Sequence, residues 1–231
     1  MKKIIEDYCP PVLKRKLWQL KTKWMQSRFV AVESAQVKEQ ELDVYWHQSM
    51  ADALDLWGKG SVWDEIQYLL INCHGKVLDI ACGPGGTMLA LQNYQDLELH
   101  GIDISDLLIN QATKRGIDPV RLRVGDATCM PYGDNSFDYG YSIGSLEHFT
   151  EQGVLDMLAE CKRAVGKATF HMVPVSRDNK NQGWLKTVQS FHNNSVEWWI
   201  DKYKSSYSDV TVLSSRWEDE LSVGKWFICK N

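Results

Sequence analysis

A glycine-rich turn at residues 83–86 directly follows a short apolar run, and this order is typical of nucleotide-cofactor sites. The run at residues 77–80 predicts a parallel strand that is covered on both faces. The glycines of the turn let a ligand approach the backbone where a Cβ atom would block it. Asp79 adds a carboxylate near the end of the strand, which can orient the turn amides or accept from a ligand ammonium group. The alternative role of Asp79 is to cap the turn.

Two more carboxylates follow later apolar runs. Asp103 ends the run at residues 97–103 and lies 24 residues after Asp79, close to the position, about 20 residues beyond a glycine turn, where a carboxylate meets a ribose. Asp126 lies in a later stretch that begins at Gly125. A dinucleotide would need a small residue at the third position of its glycine pattern, where this chain has Met88. The pattern therefore weakens the case for NAD as the cofactor.

The segment 76–86, in which Asp79 precedes the glycines, resembles the first motif of the class I S-adenosylmethionine-dependent methyltransferases, and among them the small-molecule, type 11-like domains. Residues 97–105, 125–138 and 142–149 follow in the order and at the spacing of that family's further motifs. The resemblance implies an α/β fold, a doubly wound Rossmann-like sheet of seven strands, six parallel and one antiparallel, with an N-terminal helical extension.

The cofactor that the resemblance implies is S-adenosyl-L-methionine. By resemblance, Asp103 binds the ribose hydroxyls, Asp126 holds the adenine amino group, and Ala127 offers its backbone amide to the adenine ring. The full set of cofactor-binding residues that the resemblance implies is Asp79, Ala81, Gly83, Gly85, Asp103, Ile104, Asp126, Ala127 and Ile143.

The stretch from Ser142 to Phe149 matches the family's loop that faces the transferred methyl group. His148 is the candidate catalytic base in this loop, since its reference pKa is about 6.5; the alternative is a structural histidine that caps the following helix. We assign Glu147 to the substrate site. Some relatives bind a divalent metal through an E-x-x-E-H pattern, but this chain has Gly144 at the first acid position. Two adjacent ligands make a poor metal site, so we predict no metal.

Aromatic residues precede the glycine turn and predict a lid over the site. We assign Tyr45 and Trp46 to this lid, while aromatic residues in general are more often part of a core. The polar span 176–183 and the following Trp184 leave the carboxyl end of a predicted strand, where open α/β sheets place ligand-binding loops. We therefore expect this span and Trp184 to contact the substrate.

Capping residues and apolar spacing position the remaining elements. A helix is predicted from Ser105 to Gly116 and another after Thr150, with an apolar face that includes Val165. A further helix is predicted to begin near Asn194 or Ser195. The remaining predicted elements are two helices over residues 37–66 that are broken at 58–60, strands at 168–175, and a final antiparallel pair at 210–213 and 225–230.

The composition fits one domain with an extension. The 231 residues are 44% hydrophobic and can bury one core, and no linker-like stretch divides them. We interpret residues 1–60 as the N-terminal helical extension or lid and residues 61–231 as the methyltransferase domain. The six cysteines include no C-x-x-C pair, as in reduced cytoplasmic proteins. We expect no signal peptide and no membrane-spanning segment.

Charge is concentrated near the N-terminus. Residues 1–30 hold eight Lys or Arg against two acids, a balance of +6, so the net charge of −4 leaves −10 for the rest. Residues 12–30 predict a basic amphipathic helix, which either contacts an anionic membrane surface or, more commonly, packs on its own domain. The acidic remainder argues against nucleic acid as a partner.

The sequence is less specific about the acceptor of the methyl group. A small polar molecule, such as a sugar, a nucleotide-sugar or a glycan precursor, fits the polar span and the aromatic lid. An aromatic or quinone-like metabolite is the alternative acceptor. A noncatalytic adenosylmethionine-binding protein and a nicotinamide-dependent dehydrogenase remain the alternatives to a methyltransferase. The sequence does not predict an oligomeric state.

Overall fold

A seven-stranded sheet carries the glycine turn and the acids that follow it. A computed structural model describes residues 31–32, 37, 39–54, 57, 59–187 and 189–231. The strands are β1 (Gly75–Ile80), β2 (Leu97–Asp103), β3 (Leu122–Val124), β4 (Phe137–Ile143), β5 (Val165–Ser176), β6 (Asp209–Glu218) and β7 (Ser222–Lys230).

The strand order in this sheet is β3-β2-β1-β4-β5-β7-β6. Strands β1 to β5 pair in parallel, and β7 runs antiparallel to both β5 and β6. Six strands therefore share one direction and β7 opposes them, which confirms the predicted fold and the predicted final antiparallel pair. The carboxyl ends of β1, β2 and β4 meet at one edge of the sheet, where open α/β sheets bind ligands.

Six helices connect or cover these strands in the part of the chain that the structure describes. They are α1 (Gln48–Leu54), α2 (Val62–Leu69), α3 (Gly86–Leu91), α4 (Asp106–Lys114), α5 (Glu151–Ala164) and α6 (Val196–Lys204). Short 3₁₀ turns span Asp43–Trp46, Pro119–Arg121 and Leu146–His148. A small sheet of three two-residue strands joins Ala31–Val32, Trp184–Leu185 and Phe191–His192.

The predicted caps at Ser105 and Thr150 are present, and Ser195 caps a third helix, whereas the side chain of Ser61 makes no capping hydrogen bond. The hydroxyl oxygens of Ser105, Thr150 and Ser195 each accept a hydrogen bond from a backbone N–H in the first turn of α4, α5 and α6, which satisfies a donor that the helix itself leaves unpaired. The placement of Val165 on the face of a helix was wrong. Its backbone is extended (φ −113°, ψ 125°), because α5 ends at Ala164 and Val165 begins β5.

Two predictions concern the N-terminal sixty residues. The basic helix predicted at residues 12–30 lies outside the described residues. In place of the first helix predicted over residues 37–66, the structure has the 3₁₀ turn Asp43–Trp46 and then the seven-residue helix α1. The second predicted helix corresponds to α2, which begins after Ser61.

The sheet separates two apolar clusters, and the alternation of side chains along each strand assigns residues to one or the other. On β7, for example, Phe227 packs with α5 and α6, whereas Trp226 packs with α2 and α3 on the opposite face. Five cysteines lie in the described part of the chain and all are free thiols. Among the described residues, no helix is both long enough and apolar enough to cross a membrane.

Replacing Phe227 with alanine is expected to lower the free energy of unfolding by about 3–5 kcal/mol. Phe227 is fully buried and its ring stacks on Tyr203 of α6, with centroids 4.5 Å apart, so the substitution leaves a cavity between the sheet and this helix. Urea unfolding measures the change. Leu213→Ala is the control, because Leu213 is 43% exposed on neighbouring β6 and should change stability by no more than about 0.5 kcal/mol; equal losses would contradict the account.

Candidate functional site

Two adjoining cavities open at the carboxyl edge of the sheet. The first cavity lies above the ends of β1, β2 and β4, and its space, which continues into open solvent, amounts to about 950 Å³. The second cavity lies beside the 3₁₀ turn Leu146–His148, and its space, which also continues into open solvent, amounts to about 540 Å³. Leu54, Trp57, Gly144 and Gln189 line both. The shared residues place the two spaces next to each other, as a transfer reaction between two molecules requires.

The glycine turn forms the floor of the first cavity. Ala81 and Gly83 both have positive φ, 58° and 54°, and both line the cavity. A Cβ atom built on Gly83 would have no neighbour within 4 Å, so the backbone at this position faces open space. Gly85 does not line the cavity; a Cβ atom there would overlap Ile117 and contact Ala112. The two glycines therefore have different surroundings, one open and one packed.

Asp103 links the glycine turn to the start of α4. Its Oδ2 accepts from the N–H of Gly83 at 2.8 Å, and its Oδ1 accepts from the N–H of Ser105 at 2.9 Å. Burial raises the pKa of Asp103 to about 6, although these two hydrogen bonds favour the ionised form. A carboxylate has about four acceptor sites, so Asp103, which lines the first cavity, keeps acceptor capacity for a ligand hydroxyl.

Asp79 lies deeper in the same cavity. The Tyr141 hydroxyl donates to its Oδ2 at 2.8 Å, and the side chain is only 4% exposed. Burial raises the pKa of Asp79 well above its usual range, and the nearby charge of Asp103 raises it further, while the hydrogen bond from Tyr141 opposes the shift. A positively charged ligand group would favour the ionised form of Asp79.

The other predicted cofactor residues also line the first cavity. Asp126 is exposed, and its Oδ1 accepts from both the N–H and the hydroxyl of Thr128 at 2.8 Å. These bonds fix the carboxylate in a tight turn. The remaining predicted residues are Ile104, Ala127 and Ile143. Thus the structure brings together every predicted cofactor residue except Gly85.

Glu147 and His148 line the second cavity rather than the first. Nε2 of His148 lies 3.6 Å from Oε1 of Glu147, and the Glu147 side chain is 4% exposed. Oε2 of Glu147 has no hydrogen-bond partner among the described residues. Burial raises the pKa of Glu147 to about 8 and lowers that of His148 to about 4. Both side chains are therefore mainly uncharged near neutral pH.

The tautomer of His148 follows from its hydrogen bond. Nδ1 lies 2.8 Å from the backbone carbonyl oxygen of Ser190, and because a carbonyl only accepts, Nδ1 must carry the proton. In the neutral ring Nε2 is then an acceptor. The geometry thus gives His148 a free lone pair on the nitrogen that faces Glu147, which is the form that a general base needs.

The predicted lid and substrate residues are placed differently from one another. Tyr45 lines the first cavity, and its hydroxyl accepts from Gln189 Nε2 at 2.9 Å. Trp46 lines neither cavity; it is 43% exposed and donates to Asp106 Oδ1 at 2.9 Å. Trp184 is 1% exposed within the small sheet and also lines neither cavity.

The polar span 176–183 also lies outside the lining of both cavities. Its side chains instead hold the start of α6. Oδ1 of Asn181 accepts from the N–H of Ser195 at 3.0 Å, and Oδ1 of Asn179 accepts from the N–H of Val196 at 3.3 Å. The span therefore positions a helix terminus, and the expected contact with a substrate stays a prediction.

Three residues at or beside the wall that the two cavities share were not predicted from the sequence. Trp57 packs against Gly144, whose φ is +63° and where a Cβ atom would overlap the indole ring. Trp217 of β6 lies beside Trp57, with ring centroids 5.7 Å apart, and Gln189 bonds Tyr45. The glycine that replaces an acid in the metal-binding pattern was the one sequence signal that pointed to this wall.

Within the described part of the chain, no group of three or more His, Cys, Asp or Glu side chains is arranged to hold a metal ion. The sequence-based prediction of a metal-free site stays a prediction, because a bound acceptor or the remaining residues can contribute ligands.

Glu147→Gln is expected to change how folding stability depends on pH. Burial raises the pKa of the Glu147 carboxyl from its ordinary value of 4.5 to about 8 in the folded chain. Between these two pH values the unfolded chain releases the proton and the folded chain keeps it, so the wild-type free energy of unfolding falls as pH rises. Glutamine does not ionise, so above pH 8 the variant should be more stable than wild type by about 1–3 kcal/mol. Urea unfolding across this pH range measures the difference.

Glu98→Gln is the matched control, since Glu98 is a partly exposed glutamate at the opposite edge of the sheet. The free energy of unfolding of Glu98→Gln should not increase relative to that of the wild type as pH rises. A constant difference between Glu147→Gln and wild type at all pH values would contradict the buried, protonated state of Glu147.

Comparison with known proteins agrees with this geometry. The methyltransferase-domain family matches residues 77–167. A 24-methylenesterol C-methyltransferase from Arabidopsis thaliana is 37% identical over 78 residues, which are 32% of this chain and 22% of that protein. A 27-O-demethylrifamycin SV methyltransferase from Amycolatopsis mediterranei is 28% identical over 157 residues, 55% of this chain and 58% of that protein. The chain thus spans about a fifth to three fifths of these relatives.

Solved structures share the fold. A 1,6-didemethyltoxoflavin-N1-methyltransferase from Burkholderia thailandensis, solved with S-adenosylhomocysteine, has a TM-score of 0.62 at 15% identity, covering 79% of this chain and 84% of that one. The family match lies on β1 to the start of β5, the part that forms the glycine turn and carries the acids of the first cavity. Residues 77–167 of the chain thus match the methyltransferase-domain family, and the chain shares the fold of solved S-adenosylmethionine-dependent methyltransferases.

Proposed function

We propose that the chain transfers a methyl group from S-adenosyl-L-methionine to an oxygen or nitrogen atom of a small polar acceptor. The observation that carries this proposal is the pair of adjoining cavities. One holds the glycine turn and the acids of the family's cofactor motif, and the other holds Glu147 and His148. A sugar, a nucleotide-sugar and a glycan precursor are the polar acceptors that we propose first.

The residues of the first cavity fit the cofactor. The open backbone at Gly83 leaves room for the methionine part, and buried Asp79 suits its ammonium group. Asp103 would accept from the ribose hydroxyls, and Asp126 would accept from the adenine amino group beside the amide of Ala127. These residues, together with Ala81, Ile104 and Ile143, form the lining. We propose a role in the backbone turn, rather than direct contact, for Gly85.

When bound, S-adenosylmethionine supplies a methyl group on a sulfonium sulfur, which keeps the electron pair of the S–C bond when the acceptor atom bonds to that carbon. The protein must therefore orient the acceptor and remove its proton. Orientation in a fixed cavity contributes up to about 7–11 kcal/mol to such reactions. Nε2 of His148 is an acceptor in the neutral tautomer, so we assign the proton of the acceptor atom to it.

The N-terminal sixty residues have a proposed role as a lid over both cavities. Tyr45 supports this role, since its carbonyl accepts from the Ser105 hydroxyl at 2.8 Å and its own hydroxyl bonds Gln189. Trp46 fastens the same segment to α4 through Asp106. We retain residues 61–231 as the methyltransferase domain, a location in the cytoplasm, and membrane contact through residues 12–30 as proposals.

An aromatic or quinone-like acceptor is the second candidate. The rings of Trp57, Phe191 and Trp217 line the second cavity and favour a flat apolar ligand as well as the face of a sugar. Relatives of the chain are named for sterol and rifamycin substrates, and these names support an acceptor of low molecular mass.

Radiolabelled methyl transfer into a cell lysate tests the function. With labelled S-adenosylmethionine, we expect the label in the small-molecule or lipid fraction, and extraction by polarity separates a sugar from an aromatic acceptor. Label confined to protein or nucleic acid would contradict a small acceptor. Cofactor binding without transfer to any fraction would support a noncatalytic binding protein.

Asp103→Asn is expected to weaken the binding of S-adenosylhomocysteine by about tenfold or more. The carboxylate of Asp103 accepts from two backbone N–H groups, and the NH₂ group of asparagine would face one of these donors without forming a hydrogen bond. The variant would also lack a charged acceptor for the ribose hydroxyls. Isothermal titration calorimetry measures the affinity. Asp96→Asn, at an exposed site, should bind like wild type, and a preference for NAD in the wild-type chain would instead support a dehydrogenase.

His148→Gln is expected to lower kcat by about 10²–10⁴-fold, the usual contribution of a general base, with an unchanged affinity for S-adenosylhomocysteine. Gln is polar and similar in length but has no basic nitrogen. The comparison uses the acceptor found in the lysate experiment at saturating concentration. Full turnover by the variant would remove the assignment of His148 as the base.

A further inference from the structure

The second cavity is lined by acidic side chains without a basic counterpart among the described residues. Among the described residues that line it, two are acids, Glu147 and Asp219, and none is Lys or Arg. His148 does not compensate for these acids, because burial lowers its pKa to about 4 and leaves it neutral. An electropositive ligand group is therefore favoured in this space over an anionic one.

The two acids differ in how their oxygens are satisfied. Oδ1 of Asp219 accepts from the backbone N–H groups of Leu221 and Ser222 at 2.8 and 2.7 Å, so this carboxylate closes the turn between β6 and β7. Glu147 is 3% exposed, and its Oε2 has no partner among the described residues. A buried polar atom without a hydrogen-bond partner costs stability. A bound ligand that donates to Oε2 of Glu147 would remove this cost.

The walls of the cavity are suited to the same type of ligand. Trp57, Trp217 and Phe191 contribute three aromatic rings, and the two indoles are tilted by 47° with centroids 5.7 Å apart. The negative face of an indole ring attracts a cation, and the attraction increases when water is excluded. Aromatic cages are used in sites that recognise quaternary ammonium groups.

We propose that the second cavity binds an organic amine in its cationic form, with the ammonium group paired to Glu147 and placed against Trp57 and Trp217. This inference rests on the proposed function and specifies its acceptor, since the amine nitrogen is then the atom that is methylated. A neutral polyol would satisfy Glu147 by donating hydroxyl hydrogens, but only a cationic ligand would stabilise the ionised form of this carboxyl, which burial disfavours.

The nitrogen must lose a proton before it can form a new bond. The N–H bond breaks with its electron pair left on nitrogen, and the proton passes to the carboxylate of Glu147 or to Nε2 of His148, which lie 3.6 Å apart in the same cavity. Burial alone favours the protonated form of Glu147, but a bound ammonium group stabilises the ionised form, so that a carboxylate is available to take the proton. No further reactant is needed for this step.

Matched pairs of amines and alcohols test the inference. Benzylamine is compared with benzyl alcohol and glucosamine with glucose, at a pH where both amines are cationic. Each probe is titrated into the full chain by calorimetry, with and without S-adenosylhomocysteine. We expect at least one amine to bind about tenfold or more tightly than its counterpart, and Glu147→Gln to remove that preference while leaving the affinity for the alcohol or sugar within about twofold.

The control variant is Glu98→Gln, a glutamate at the far edge of the sheet, which should keep the preference for the amine. Equal binding of both members of each pair, binding of neither amine at millimolar concentration, or a preference that survives in Glu147→Gln would overturn the inference. S-adenosylhomocysteine affinity is measured on the same samples. If the wild type does not bind S-adenosylhomocysteine, the proposed function is overturned. If it binds S-adenosylhomocysteine but shows no preference for an amine, this inference alone is overturned.

Discussion

The carboxylate of Asp103 connects the parts of the molecule that form the site. One oxygen accepts from Gly83 in the turn after β1, and the other accepts from Ser105 at the start of α4. Ser105 in turn caps α4 and donates its hydroxyl hydrogen to the carbonyl of Tyr45. Through this chain of hydrogen bonds, the end of one strand fixes a glycine turn, a helix and the N-terminal segment in one arrangement. This network can form because the carboxyl ends of parallel strands lie at the same edge of the sheet.

The second cavity depends on a different constraint, the close approach of Trp57 to the backbone at Gly144. Any side chain at Gly144 would overlap the indole and strain a backbone with positive φ. The approach separates the first cavity, which is rich in acids and backbone donors, from the second, which is aromatic and contains the uncharged pair Glu147 and His148. Exclusion of water from this pair explains both the raised pKa of Glu147 and the lowered pKa of His148.

Local patterns in the sequence were sufficient for much of the fold and for the first cavity. The apolar run before the glycine turn, the caps at Ser105 and Thr150 and the acid at Asp103 are signals that depend on neighbouring residues, and all of these elements are present. The end of α5 was misplaced by one residue, because the apolar spacing of a helix continues into a buried strand at Val165.

The second cavity could not be predicted in the same way. Its aromatic wall combines residues from the N-terminal segment, β6 and the region around the small sheet, which only the tertiary fold brings together. Polar loop residues were also ambiguous. Asn179 and Asn181 fit a substrate loop by composition, but their hydrogen bonds support the start of α6. A single sequence does not distinguish a polar residue that binds a ligand from one that caps a helix.

A crystal structure of the chain with S-adenosylhomocysteine is the decisive experiment. It shows whether the cofactor occupies the first cavity and where its sulfur atom lies relative to the second cavity. We expect the ribose hydroxyls at Asp103, the adenine at Asp126 and the thioether sulfur directed past Gly144 toward Glu147 and His148. Adenine in the second cavity, or a sulfur atom directed away from it, would contradict the assignment of the two cavities to cofactor and acceptor.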